Sequence, residues 1–261
     1  MYQPVILSHH GSEYFELPPH PALKELIQTF WVSPVGDSHH RVLPDFCGDI
    51  ILVFSQNLRL EKLFFSTPQT DYFIFEGNED DIIVGIRFYL QGFPLILEYP
   101  LAGQKNDSLS NSEYFADFSA FIKRYEKFPS LSSLLNQLDT YFLNKLSERK
   151  SLGSEIFLNN FIKNASSNLT YKEVIRKEVI SERSIQRKFK EEIALSPYEL
   201  YDTIRFQNVL QEIQKGQKSF IDVTYAYHFH DQAHFSKTVK KYSGLSPRQI
   251  LFACRNYTSN T

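Results

Sequence analysis

Ile221-Asp222-Val223-Thr224-Tyr225-Ala226-Tyr227-His228-Phe229-His230-Asp231-Gln232-Ala233-His234-Phe235-Ser236-Lys237-Thr238-Val239-Lys240-Lys241-Tyr242-Ser243-Gly244-Leu245-Ser246-Pro247 is the stretch on which the reading of this chain turns. Val223, Ala226 and Tyr227, and then Phe235, Val239 and Tyr242, fall at helical spacing on two short segments broken at His228 to Asp231. The spacing predicts two helices meeting through a tight turn, a helix-turn-helix. An earlier copy runs from Thr170 to Ser196, where Val174, Ile175, Val179 and Ile180 lead into a second helix that starts at Ser181 and turns Ile185 and Phe189 inward. Matching positions such as Ile185 and Phe235 are 50 residues apart. Between the copies, Ser196-Pro197 opens a further helix with Ser as cap and Pro at its first position. Leu200, Ile204, Val209, Leu210 and Ile213 form its buried side, and Gly216 stops it.

The 261 residues are long for one domain and enough for two, each able to bury a core. Charge divides the chain: residues 1 to 154 hold 12 Lys and Arg against 19 Asp and Glu, and residues 155 to 261 hold 16 against 11. An acidic front and a basic back are expected when only the back meets a polyanion. The polar Ser147 to Ser154 segment, with Gly153, is the expected linker. It separates a β-rich sensor or dimerisation domain over 1–150 from a DNA-binding domain over 155–261. Cys47 and Cys254 have no metal or redox spacing, which suggests a reducing compartment. No apolar run reaches transmembrane length and the N-terminus has no signal-peptide pattern. A cytoplasmic protein without a membrane partner is expected.

The front half opens with Met1 to Pro21, rich in Pro and His, with one edge strand expected at Val5 to Leu7. Ile50 to Phe54, Lys62 to Ser66, Tyr72 to Phe75 and Ile82 to Phe88 then read as strands, divided by Asn57, Pro68 and the acidic Gly77 to Asp81 turn. Such close spacing predicts a meander or small barrel, so the fold class is α+β, with a barrel-like β-rich domain ahead of an all-α one. Leu131, Leu134, Leu135, Leu138, Tyr141, Phe142 and Leu146 predict an amphipathic helix over Ser130 to Arg149. Its stripe either docks on its own domain or takes a partner helix. The strands Ile50 to Phe54 and Ile82 to Phe88 would line either an apolar sensor pocket, with Asp49 or Arg87 as polar anchor, or a filled core. A helix over Glu155 to Asn164, packing through Ile156, Phe157 and Phe161, begins the basic half.

Recognition helices present their first turns to base edges in the major groove. In the first copy the side chains so placed are Arg183, Ser184, Gln186 and Arg187, and in the second Gln232, Ala233, His234 and Lys237. Arg pairs bidentately with guanine, Gln with adenine, and Ala accepts a thymine methyl. Lys188, Lys190, Lys240 and Lys241 stand better for phosphates, which supply affinity and register rather than sequence information. The expected partner is double-stranded DNA, with a small-molecule effector, RNA polymerase and a second copy of the chain left open.

Four short motifs carry a resemblance to the DNA-binding domain of the AraC/XylS family of transcription regulators, two helix-turn-helix subdomains bridged by a long helix. They are Ser181-x-x-Ser184-Ile185-Gln186-Arg187-x-Phe189-Lys190, Ser196-Pro197, Phe229-x-Asp231-Gln232-x-His234-Phe235-Ser236 and Gly244-Leu245-Ser246-Pro247. They cover Glu155 to Phe252 in the family's order and spacing. Val42-Leu43-Pro44-Asp45 and Gly85-Ile86-Arg87-Phe88 resemble, more loosely, the β-rich domains found on such regulators, which implies a sensor or dimerisation role. The family has Gly in the turn of each repeat, where Val179 and His228 stand here. Thr224 replaces a small Ala and Val239 a Phe, so a looser second subdomain is expected.

His228, His230 and His234 invite a metal reading, since His230 and His234 have helical i, i+4 spacing. Asp231 suits a helix cap better, so no metal and no cofactor are expected. No phosphate-binding Gly loop, nucleophile elbow or Cys-His pattern appears, and no catalytic residue is assigned. The competing reading is a metal-dependent barrel enzyme, built near His9-His10, His39-His40, Asp45 and Asp49, with a helical appendage that no longer binds DNA.

Overall fold

A computed structural model describes residues 14–34, 40–75, 80–101, 103–110, 112–125, 127–148 and 153–258. The expected strand at Val5 to Leu7, His9-His10, His39, residues 76–79 of the acidic turn and 149–152 of the expected linker lie outside them.

The strands are β1 (Phe15–Leu17), β2 (Ile27–Pro34), β3 (His40–Val42), β4 (Cys47–Phe54), β5 (Leu60–Ser66), β6 (Phe73–Phe75), β7 (Ile82–Tyr89) and β8 (Ser108–Leu109). Six form an antiparallel sheet in the order β1-β2-β7-β4-β5-β8, and β3 pairs with β6 as a separate ribbon. The sheet is open, not a barrel: its edges are the three-residue β1 and the two-residue β8, which do not pair with each other.

The pleat divides the strand residues between two faces. Phe30, Ile86, Ile50 and Phe65 lie opposite one another across β2, β7, β4 and β5, as do Val32, Val84, Leu52 and Leu63. Seven of these eight side chains are almost fully buried, with Leu63 half-buried beside them. Against this face pack α1 (Ala116–Lys123) and α2 (Leu131–Glu148). Leu134, Leu138 and Phe142 are fully buried, so the α2 stripe docks on its own domain. The Phe142 ring meets Phe88 edge-on at 5.3 Å and stacks on Phe118 at 5.8 Å, favoured geometries for aromatic pairs.

The remaining helices are α3 (Gly153–Ser166), α4 (Tyr171–Lys177), α5 (Glu182–Glu192), α6 (Pro197–Lys215), α7 (Phe220–Ala226), α8 (Gln232–Ser243) and α9 (Pro247–Thr258). Capping follows the sequence: Thr170, Ser181, Ser196, Ser219 and Asp231 each accept a hydrogen bond from a first-turn backbone N–H. Ile185 and Phe235, 50 residues apart, are both fully buried, as are Phe189 and Val239. The residues that close the repeats, Ala194 and Gly244, both have positive φ, 67° and 71°.

The two turns differ in length. Three residues, Glu178 to Ile180, separate α4 from the Ser181 cap, whereas four, Tyr227 to His230, separate α7 from Asp231. The longer turn needs a left-handed residue, and His228 supplies it at φ 57°. The shorter one leaves its helix with Glu178 extended, at φ −77° and ψ 141°. Val179 therefore stands exposed without a positive φ, and a β-branched residue is unstrained there. The second subdomain is not loose. Thr224 is buried with its hydroxyl donating to the Phe220 carbonyl at 2.7 Å, and Val239 is fully buried.

Candidate nucleic-acid interface and ligand cavity

The helices α5 and α8 hold the residues expected to meet DNA. On α5, Arg183, Gln186, Arg187 and Lys190 are exposed and Ser184 is half-buried, its hydroxyl 2.9 Å from that of Ser181. Lys188 is half-buried, its ammonium 3.9 Å from Glu192 and 5.9 Å from the centre of the Phe157 ring. It is thereby less available to a phosphate than its neighbours. On α8, Gln232, Ala233, His234, Lys237, Lys240 and Lys241 are all exposed. No acidic residue interrupts that helix, whereas Glu182, Glu191 and Glu192 share α5 with its cations. The potential facing a polyanion is therefore stronger at the second repeat.

Local contacts aim the α8 side chains. Asp231 accepts from the His234 backbone N–H at 2.7 Å. That bond holds its carboxyl below the usual range, helped by His230. The His234 ring packs edge-on to Phe229 at 5.4 Å, leaving the side chain exposed at the mouth of the helix. Among the described residues no three His, Cys, Asp or Glu side chains converge as a metal site. One cation was absent from the sequence reading: Arg248, exposed in the first turn of α9, borders the same shallow hollow as Lys237 and Lys240. Its signal was the Ser246-Pro247 helix start, which repeats Ser196-Pro197.

The helix α6 sets the two repeats relative to each other. Every residue from Leu200 to Leu210 is buried, so the helix is covered all round rather than along one stripe. Asp202 accepts from the Tyr242 hydroxyl of α8 at 2.7 Å and pairs with Arg205. The Arg205 guanidinium lies 4.3 Å from the centre of the Phe229 ring in the second turn.

A cavity of about 720 Å³ occupies the sheet face opposite the packed core. Its floor is the other pleat set: Arg87 pairs with Asp49, which pairs with Ser66, and Trp31 faces Gly85, then Ile51, then Phe64. Gly85 is required here, because a Cβ at that position would stand 1.8 Å from the Trp31 indole. The sequence expected either a pocket or a filled core from these strands. Alternate residues do both: Ile50, Leu52, Phe54, Ile86 and Phe88 fill the core, while Asp49, Ile51, Ile83 and Arg87 line the cavity.

At one end the polar groups gather. Arg87, buried, has its Nε 3.2 Å from Asp49 and 3.5 Å from Asp45, and its Nη1 is 4.0 Å from Glu16. Neither nitrogen has an aligned hydrogen bond. Trp31 donates to Asp49 at 2.7 Å. Burial, with the Asp49 charge, pushes the Asp45 carboxyl up to about 6 against the pull of Arg87.

One wall of the cavity belongs also to the helical part. Arg41, Val42, Leu43 and Asp45 line it. Arg41 donates to the Ser243 carbonyl at the end of α8 at 2.8 Å and lies 4.9 Å from the Tyr72 ring centre. Leu43 is buried in the cluster of Phe206, Phe235, Val239 and Tyr242 that forms the core of the second repeat. The Pro44 carbonyl accepts from Gln207 of α6 at 2.6 Å.

The geometry defines a class of protein: paired helix-turn-helix units on one joining helix, attached to a β-rich domain that encloses a cavity. Residues 175–251 match the model of a family described as a helix-turn-helix domain, and residues 15–110 match a domain of unknown function (DUF6597). The C-terminal part is a helix-turn-helix domain of the AraC type, so the chain is a DNA-binding regulator of transcription. No curated protein matches the chain. Among solved structures it is similar to ToxT from Vibrio cholerae at 13% identity, with 86% of this chain and 97% of that one covered and a TM-score of 0.42. An unsaturated-fatty-acid-bound ToxT from the same organism shows 11% identity, 97% and 98% coverage and a TM-score of 0.41. No helix among the described residues is long and apolar enough to cross a membrane.

Proposed function

We propose that the chain is a sequence-specific transcription regulator in which α5 and α8 enter successive major-groove segments, and a small molecule in the cavity controls them. The division of labour follows the sequence reading, with a sensor over 1–150 and a DNA-binding domain over 155–261. The observation that carries the control is the shared wall, since Arg41 and Leu43 touch both the cavity and the second repeat. A ligand that shifts this segment acts directly on the C-terminal end of α8 and on its core. Only a differential contact of this kind lets a ligand shift an equilibrium. A regulator is favoured over an enzyme with an idle appendage because both recognition helices keep their basic and polar first turns exposed.

Selection of bound sequences from random DNA by the full chain tests the reading. Two half-sites roughly one helical turn apart are expected, about 34 Å, or closer if the duplex bends. Enrichment of no motif would sink it. Within the selected site, Arg187→Ala should cost about 1–3 kcal/mol at one position and relax the preference there. Lys240→Ala should weaken all sequences about equally and lower the salt slope by about one unit. If Arg187→Ala instead lowers affinity evenly across sequences, the first repeat touches only phosphates.

A further inference from the structure

We infer that His228 and Asn168 together form a positioning bridge between the two repeats, one that fixes the separation of α5 and α8 and so the half-site spacing the protein accepts. The inference rests on the reading above that both helices enter the DNA, and it assigns the spacing to residues outside both of them. Spacing is a demanding constraint, since each added base pair moves a half-site by about 3.4 Å along the duplex. Two recognition helices select one spacing only if the body between them resists bending.

The joining helix α6 holds the repeats through separate cores. Val174, Ile185 and Phe189 pack with Leu200 and Ile204 in the cluster that continues into the β-rich domain, whereas Val223, Phe235 and Val239 pack with Phe206, Val209 and Leu210 in another. Among the described residues, the hydrogen bonds that join the repeats directly lie at one place. The His228 ring, in the turn of the second repeat, has its Nε2 2.9 Å from the Asn168 carbonyl, and the Asn168 side-chain amide donates to the Ala226 carbonyl at 2.7 Å. A carbonyl only accepts, so the Nε2 carries the proton and donates. The loop that holds Asn168 is itself fixed at the entrance to the first repeat. The Tyr201 hydroxyl of α6 donates to the Leu169 carbonyl at 3.0 Å, and Thr170 caps α4 in a reciprocal bond with Glu173. Arg41 holds the C-terminal end of α8, and the bridge holds the turn at its start.

Both bridge residues adopt positive φ, 57° at His228 and 58° at Asn168. Glycine takes that angle with less strain, so the side chains supply something the turns do not need for themselves. Both are exposed, where water competes for each bond and little net stability results. What the bonds restrict is the rocking of the repeats about α6.

The test uses the full chain, the DNA site selected from random sequences, and versions of that site with one base pair added or removed between half-sites. Three variants open the bridge. His228→Gly keeps the left-handed turn without a ring, His228→Asn keeps it with a side chain one ring-width too short, and Asn168→Gly removes the amide at the other end. Each should melt as the unaltered chain does and lose roughly fivefold of the spacing preference, the factor that one net hydrogen bond contributes. The loss should come chiefly from tighter binding to the altered spacings, a gain that mere destabilisation does not produce. A second measurement needs no DNA. Spin labels at Lys190→Cys and Lys241→Cys, both exposed positions, in a chain with Cys254→Ser and the buried Cys47 left in place, report the separation of α5 and α8. The distance distribution should be narrow with the bridge intact and broader in each variant. Distributions of equal width, or a spacing preference that the variants keep, overturn the inference. Broadening by His228→Gly without His228→Asn also overturns it, since that is the flexibility of glycine alone. Broadening in all three variants of a chain that is indifferent to spacing when unaltered leaves the bridge standing and overturns the reading that both helices enter the DNA.

Discussion

Raising the salt from about 50 to about 200 mM is expected to weaken the complex of the full chain with its DNA site roughly a thousandfold. The six exposed cations of the recognition helices, Arg183, Arg187, Lys190, Lys237, Lys240 and Lys241, carry this expectation. Each phosphate neutralised releases condensed counterions and contributes a slope of about −0.9 in log K against log salt, so about six contacts give about −5. Lys188 is left out of the sum because Glu192 and the Phe157 ring already engage it. The exposed Arg248 would steepen the slope by about one unit, and Arg248→Ala tests its part. The acidic front half repels DNA and does not change the sign, because screening confines each charge to about 10 Å in 0.1 M salt. Fluorescence anisotropy across a salt series measures the slope. Affinity that hardly varies over this range would show that the basic faces do not meet phosphates.

Asp202→Ala is expected to destabilise the protein by about 3–5 kcal/mol, the cost of leaving a buried charge without its partner. Asp202 is the buried hinge of the second repeat, joining Arg205 of its own helix to the Tyr242 hydroxyl of α8. Without it the Arg205 guanidinium keeps its contacts with the Phe229 and Tyr201 rings but no carboxylate partner, and its Nε already lacks a hydrogen bond. Tyr242→Phe removes one neutral donor and should cost about 1 kcal/mol, since a typical hydrogen bond contributes about that much net. Denaturant unfolding of the two variants separates the effects. Equal losses for the two would show that Tyr242, rather than the ion pair, is what Asp202 serves. The second repeat contains α8, so Asp202→Ala should also lower DNA affinity at temperatures where the unaltered chain binds fully.

The helical half was legible in the sequence because its signals are local. Caps at Ser181, Ser196 and Asp231, the glycine at Gly216 and apolar residues at helical spacing act within one or two turns of the chain, and each stands where it was expected. His228 was readable for the same reason, a turn position whose backbone angle is decided by its neighbours. The first turn was not, because a repeat one residue shorter leaves no mark on an apolar pattern that resumes in phase at Ile185. In the front half the sequence marked β4 and β7 as strands, yet an apolar run such as Ile50 to Phe54 does not say which face meets a core and which a cavity. Register across β2, β7 and β4 decided that, placing Trp31 over Gly85 and Arg87 beside Asp49. Tertiary structure alone also joined Arg41 to Ser243 and Leu43 to the second repeat, across some two hundred residues of chain. Helix and turn preferences are short-range, so the chain states them residue by residue. A cavity and a shared wall arise only when distant strands and helices are brought together by burial of their common apolar surface.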